Sequence, residues 1–109
     1  MQLIISNEVR NDITEIYNYI ARDSLKYANE TVDNIYLLIS KLEMSPYLGR
    51  YVPEFQDKRY RELIYKSYRI VYSVFEDTKI VYIRFVVHGK RNFKSFYYSY
   101  MKNNEILSI

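Results

Sequence analysis

The chain has no cysteine and no tryptophan, and its 109 residues include only two glycines, two prolines and one histidine. Missing thiols exclude disulfides, cysteine-ligated zinc and thiol nucleophiles together, and fit a reducing compartment. One histidine without cysteine leaves too few ligands for a dedicated transition-metal site, so neither a metal nor another cofactor is expected. The apolar start QLIIS is too short for a secretion signal, and no apolar run approaches membrane-spanning length. These absences point to a cytoplasmic protein with no membrane partner. No linker, repeat or low-complexity block interrupts the sequence, so residues 1–109 read as a single domain. A chain of this size buries roughly two-thirds of its unfolded surface.

What is present is apolar, aromatic and unevenly charged. Hydrophobic residues make up 49% and charged residues 27%, which suits a folded core rather than a disordered segment. The net charge of +3 conceals a division between the two halves. Residues 1–57 carry five Lys/Arg against nine Asp/Glu, whereas residues 58–109 carry eleven against four. The basic half also holds eight of the fourteen tyrosines. Lys and Arg neutralise phosphates and aromatic faces stack on unpaired bases, so this interleaving suits a nucleic acid or an acidic partner. Strand-favouring tyrosines on a solvated sheet face give the same composition.

Leu3, Ile4 and Ile5 form a short apolar run that predicts a strand, closed by the potential helix caps Ser6 and Asn7. Val9, Ile13, Ile16, Tyr17 and Ile20 then recur at helical spacing and predict a helix over about residues 8–22. Ser24 can cap a second helix, whose stripe is Ala28, Val32, Ile35, Ile39 and Leu42 before Pro46 and Gly49 end it. The two stripes suit an antiparallel hairpin. From Tyr60 onward the period becomes strand-like, giving strands at Arg61–Lys66, Tyr68–Phe75 and Lys79–Val87. A tight turn at Asp77–Thr78 would set Arg69 opposite Val86, Val71 opposite Arg84 and Ser73 opposite Tyr82. Ile70/Phe85, Tyr72/Ile83 and Val74/Val81 would then share the other face. One face would be apolar and covered by the helices; the other would be basic and open, with Arg69, Tyr82, Arg84 and His88 on or near it. Phe93, Phe96, Tyr97, Tyr100 and Met101 return to helical spacing and predict a short C-terminal helix.

The predicted architecture is α+β, with a β-α-α-β-β-β order, a helical hairpin packed on a mainly antiparallel twisted sheet and a short C-terminal helix. In that order the chain carries EIYNYIA at Glu15–Ala21, SPYLGRYVPEF at Ser45–Phe55, REL at Arg61–Leu63, YRIVYSV at Tyr68–Val74 and HGKR at His88–Arg91. Together these resemble the RelE/ParE family of bacterial toxins, the toxic halves of type II toxin–antitoxin modules. The resemblance implies a growth-arresting protein restrained by a cognate antitoxin. RelE-like members look like ribosome-dependent endoribonucleases that cut messenger RNA, whereas ParE-like members poison DNA gyrase. SPYLGRYVPEF and REL look closer to ParE-like members.

Metal-free RNA cleavage needs proton removal from the 2′-hydroxyl, stabilisation of a more negative phosphate and protonation of the leaving oxygen. By resemblance, Arg69 of the YR motif and Arg91 of GKR would hold phosphate, and guanidinium forks suit that task because they stay charged. Tyr97, six residues after Arg91, matches the spacing of a RelE-like catalytic tyrosine, although its apolar stripe equally suits packing. His88 is the side chain able to exchange protons near neutrality, or to serve structurally beside Gly89. RelE-like enzymes use lysines on the strand before YR; here Arg61 and Lys66 are the available substitutes, with Glu62 between them. Arg61, Lys66, Arg84, Lys90 and Lys94 are therefore the candidate nucleic-acid contacts. The leading expectation is cleavage of messenger RNA on the ribosome, with a ParE-like gyrase poison as the alternative.

Overall fold

The computed structural model describes residues 1–89 together with Phe93 and Tyr98. Its elements run β1 (Gln2–Ile5), α1 (Asn7–Ala21), α2 (Leu25–Ser40), a 3-10 turn (Lys41–Glu43), β2 (Arg50–Tyr51), β3 (Tyr60–Tyr65), β4 (Tyr68–Phe75) and β5 (Ile80–His88). The predicted C-terminal helix lies largely outside the described residues.

Local chemistry sets the helix starts. The Ser6 and Ser24 hydroxyls accept from the Val9 and Tyr27 backbone N–H groups, satisfying donors that have no partner within the first turn. Val9, Ile13 and Ile20 of α1 and Ala28, Ile35 and Ile39 of α2 are buried, so each apolar stripe becomes a packing face. Both helices cover one face of a five-stranded sheet of order β1-β5-β4-β3-β2. The three long strands β3, β4 and β5 pair antiparallel with one another, while β1 runs parallel to β5 at one edge. This is the expected α+β fold, extended by the two-residue strand β2, which the sequence periodicity did not reveal.

The sheet's helix-facing layer contains Leu63, Tyr68, Ile70, Tyr72, Val74, Val81, Ile83 and Val86. Burying each such aliphatic side chain contributes on the order of 1.5–3 kcal/mol before chain entropy is counted. Among described residues, the buried Thr31 hydroxyl of α2 has no hydrogen-bond partner.

The opposite face differs from expectation. Tyr72/Ile83, Ser73/Tyr82 and Val74/Val81 pair as the tight turn requires, but Val71 lies opposite Phe85 rather than Arg84. Arg84 is an extra residue in β5, a β-bulge. Because strand side chains alternate with period two, one inserted residue reverses every assignment beyond it. Val86 and His88 move to the helix side, and Phe85 and Val87 move to the other. There Phe85, Val87 and Val71 meet Val52, Phe55 and Phe93 in a second apolar cluster. The expected open basic face is therefore partly a small core.

Candidate functional site

Two arginines lie on this second face of the central strands, in contrasting surroundings. Arg69 leaves β4 beside the second core. Its Nη1 and Nη2 donate to Glu54 Oε2 and Oε1 at 2.7 and 2.8 Å, a bidentate pair, and its Nε donates to Glu62 Oε1 at 2.6 Å. The Phe93 ring stacks on the guanidinium at 3.8 Å. Arg50 Nε donates to the remaining Glu62 oxygen at 2.9 Å, so both carboxylate oxygens are engaged. The Glu62 side chain is 0% exposed and that of Arg69 12%. A buried carboxylate is tolerable only with such partners. The Glu54 hydrogen bonds, opposed by burial and reinforced by Glu62, push the Arg69 guanidinium further above its ordinary range. In return, the Arg69 hydrogen bond holds Glu54 below the usual carboxylate range.

The loop that brings Glu54 is fixed by close packing. Val52 and Phe55 bury on either side of it, and Gly49 approaches the sheet so tightly that a β-carbon would lie 2.5 Å from the Glu62 carbonyl oxygen. The Gly49 N–H donates to the buried Tyr72 hydroxyl at 2.9 Å, which pins the loop's entry. Gly89, by contrast, would bring a β-carbon only to 3.1 Å from the Ser67 carbonyl oxygen, and its φ is not positive.

Arg84 occupies the other end of this face, near the β4–β5 hairpin. Its Nε donates to the buried Ser73 Oγ at 2.8 Å. Its guanidinium lies 4.7 Å from the Tyr82 ring centre and 5.8 Å from that of Phe75. Those two rings meet edge to face at 5.5 Å. No carboxylate among the described residues pairs with Arg84. The two arginines thus share a face and differ in availability.

The other sequence candidates do not assemble around them. Arg61 pairs in register with Tyr72 and so projects on the helix side of the sheet, away from Arg69. Its Nη1 donates to the Gly49 carbonyl at 2.7 Å, and its guanidinium lies over the Tyr51 and Tyr47 rings at 4.4 and 5.1 Å. Lys66 sits in the β3–β4 turn with φ of 51° and rests over Tyr27. His88 was expected on or near the open basic face; the bulge turns it to the helix side, edge-on to Tyr68 with ring centres 5.2 Å apart. Lys90, Arg91, Lys94 and Tyr97 lie outside the described residues. Glu54 was not singled out from sequence, and no local pattern joins it to Arg69 across 15 positions. Glu62 is legible in hindsight, since strand alternation puts it on Arg69's face.

A further titratable group lies across the sheet. The Asp12 carboxylate of α1 accepts from the Val86 backbone N–H at 3.2 Å, at a point of β5 beyond the end of β1. Burial, opposed by that hydrogen bond and helped by Glu15 and Glu8, pushes its pKa up to about 6.

Among the described residues, no helix is long and apolar enough to cross a membrane. Comparison with known proteins then places the architecture. Residues 3–93 match the family described as the ParE toxin of the type II toxin–antitoxin system parDE. No curated protein matches the sequence at a significant level. Among solved structures, a chain of the chromosomal ParDE system from P. aeruginosa is similar with a TM-score of 0.66 at 19% identity, covering 81% of this chain and 95% of that one. A free E. coli RelE double mutant gives 0.63 at 14% identity, covering 94% and 95% respectively. The RelBE2 toxin–antitoxin complex from Mycobacterium tuberculosis gives 0.54 at 15% identity, covering 80% and 95%. At these identities the structures share a fold; the family match extends over most of the sequence. The chain belongs to the ParE toxin family of type II toxin–antitoxin systems.

Proposed function

We propose that this toxin arrests growth as a ParE-like poison of DNA gyrase, acting through protein binding and without nuclease chemistry. One observation carries the choice between targets: Arg69, one of the two phosphate candidates, is already neutralised by Glu54 and Glu62. The register of β3 adds to it. Tyr60, Glu62 and Ile64 are the β3 residues on Arg69's face, and none is a cation. Cleavage of a phosphodiester needs positive charge where negative charge develops; a fixed carboxylate there opposes the transition state. A protein-binding toxin has no such requirement.

A cognate antitoxin is the expected second partner, as in the ParDE system and the RelBE2 complex. The place of action for either activity is the cytoplasm. Ribosome-dependent cleavage of messenger RNA is the competing reading, supported by the six-residue interval between Arg91 and Tyr97.

The decisive experiment incubates purified toxin in parallel with gyrase plus supercoiled plasmid and with messenger-loaded ribosomes. Trapped gyrase–DNA cleavage complexes with intact messenger are expected. Messenger cleavage without gyrase trapping would reverse the assignment. The Tyr97→Phe variant should remain toxic under the binding reading, whereas a nuclease dependent on that phenol would lose most toxicity.

A further inference from the structure

Arg84 combines features that ordinary surface arginines lack. The bulge projects it from the centre of a strand, and the fully buried Ser73 hydroxyl fixes its Nε. The guanidinium lies against the Tyr82 and Phe75 rings, while Nη1 and Nη2 have no hydrogen-bond or ion-pair partner among the described residues. Donors held in this way lose little freedom when an anion arrives. Bulges elsewhere often re-aim a side chain beside a functional site.

The neighbouring charges narrow the kind of anion. Arg59, whose guanidinium lies 5.7 Å from the Phe75 ring centre, is paired with Asp57 through Nε and Nη2, and Lys79 pairs with Glu76 in the hairpin turn. Asp77 adds another carboxylate to that turn. One available guanidinium flanked by neutralised pairs is poorly suited to a nucleic acid, whose binding requires several phosphates to be neutralised along a track. It suits one carboxylate bound by the fork, with the aromatic rings receiving adjacent apolar surface.

The geometry points to Arg84 as a recognition point for the toxin's protein target, taking an aspartate or glutamate carboxylate from an acidic, partly apolar segment. Ser73 acts as its positioning residue. This assignment rests on the protein-binding reading above and names the part of the surface that would carry it.

The test uses full-length toxin in two measurements: affinity for purified gyrase, and growth arrest on induction without antitoxin. Arg84→Gln should weaken gyrase binding by about 30-fold and abolish arrest. Arg84→Lys should fail to restore either, because an ammonium cannot reproduce the fork. Ser73→Ala should weaken binding by about threefold while leaving circular dichroism and melting temperature close to the parent's. If the parent binds gyrase and Arg84→Gln binds equally well, the site is wrong and the gyrase reading survives. If the parent ignores gyrase yet arrests growth, and both Arg84→Gln and Arg84→Lys lose that arrest, the gyrase reading fails and the site survives. Arg84-dependent binding to a single-stranded oligonucleotide with a steep salt response would overturn the assignment to a protein carboxylate.

Discussion

The Arg69 and Arg84 ends of one sheet face carry the same functional group and offer opposite chemistry. At the Arg69 end a loop from outside the sheet supplies Glu54, β3 supplies Glu62, and Phe93 covers the guanidinium. At the Arg84 end the partners are a neutral hydroxyl and two aromatic rings. Arginine identity alone therefore decides little; the carboxylates that the fold delivers decide whether a guanidinium stabilises the protein or remains available to a partner. The sharpest test removes each arginine in turn. Arg69→Ala leaves Glu62 buried with Arg50 as its one remaining cation among the described residues, and should destabilise by about 3–5 kcal/mol in chemical denaturation. Arg84→Gln takes a hydrogen bond from the buried Ser73 hydroxyl but leaves no buried charge unpaired, and should cost only about 1 kcal/mol. Comparable losses at both sites would erase the distinction.

The loop itself can be broken next. Gly49→Ala would place a methyl group 2.5 Å from the Glu62 carbonyl oxygen and 2.8 Å from the Tyr72 hydroxyl. Neither neighbour can rotate freely away, because one is strand backbone and the other is fully buried. A loss of about 2–3 kcal/mol is expected, seen as a lowered denaturation midpoint. Glu54→Gln is milder and more informative. It removes the bidentate carboxylate from Arg69 while leaving Glu62 in place, so the stability cost should be about 1–2 kcal/mol. The variant should also gain salt-sensitive affinity for a short oligonucleotide in fluorescence anisotropy, making the closed end behave like an open one. No gain would mean that Glu62 and the Phe93 stack suffice to mask Arg69.

Which parts of this arrangement were legible in sequence follows from the range of the forces involved. Helix caps at Ser6 and Ser24, apolar stripes and the turn at residues 76–79 are local, and each appears where expected. The family's fold follows from their order. Reading the faces failed at Arg84, because a bulge is one residue of register with no sequence signature here, and it reverses the face of every residue beyond it. His88, Val87, Val86 and Phe85 all changed sides through that single insertion. The site failed at Glu54 for another reason: its contact with Arg69 spans a loop whose path depends on Val52 and Phe55 finding the second core. Counting charges by halves of the chain placed Glu54 in the acidic half and Arg69 in the basic half. The fold brings them together, so the expected open basic patch is in part an internal ion pair.

The bulged end of β5 also has a support on the helix side, and its effect is the smallest and most condition-dependent. Asp12 accepts the Val86 N–H two residues beyond the bulge, beside Glu8 and Glu15 of its own helix. Burial raises its pKa from 3.8 to about 6, so between those values the folded chain retains a proton that the unfolded chain has released. By linkage, this group's contribution to stability declines as pH rises from about 4 to about 6, and its cost is fully present above that window. Asp12→Asn keeps a carbonyl acceptor for Val86 and removes the charge. Its melting temperature relative to the parent should therefore be higher at pH 7.5 than at pH 4, with the change confined to that interval. Because Asp12 is only half-buried, solvent screening should hold the difference to a few degrees. A parent–variant difference that stays flat from pH 4 to pH 7.5 would show that burial does not raise the Asp12 carboxyl and that its charge costs the fold nothing.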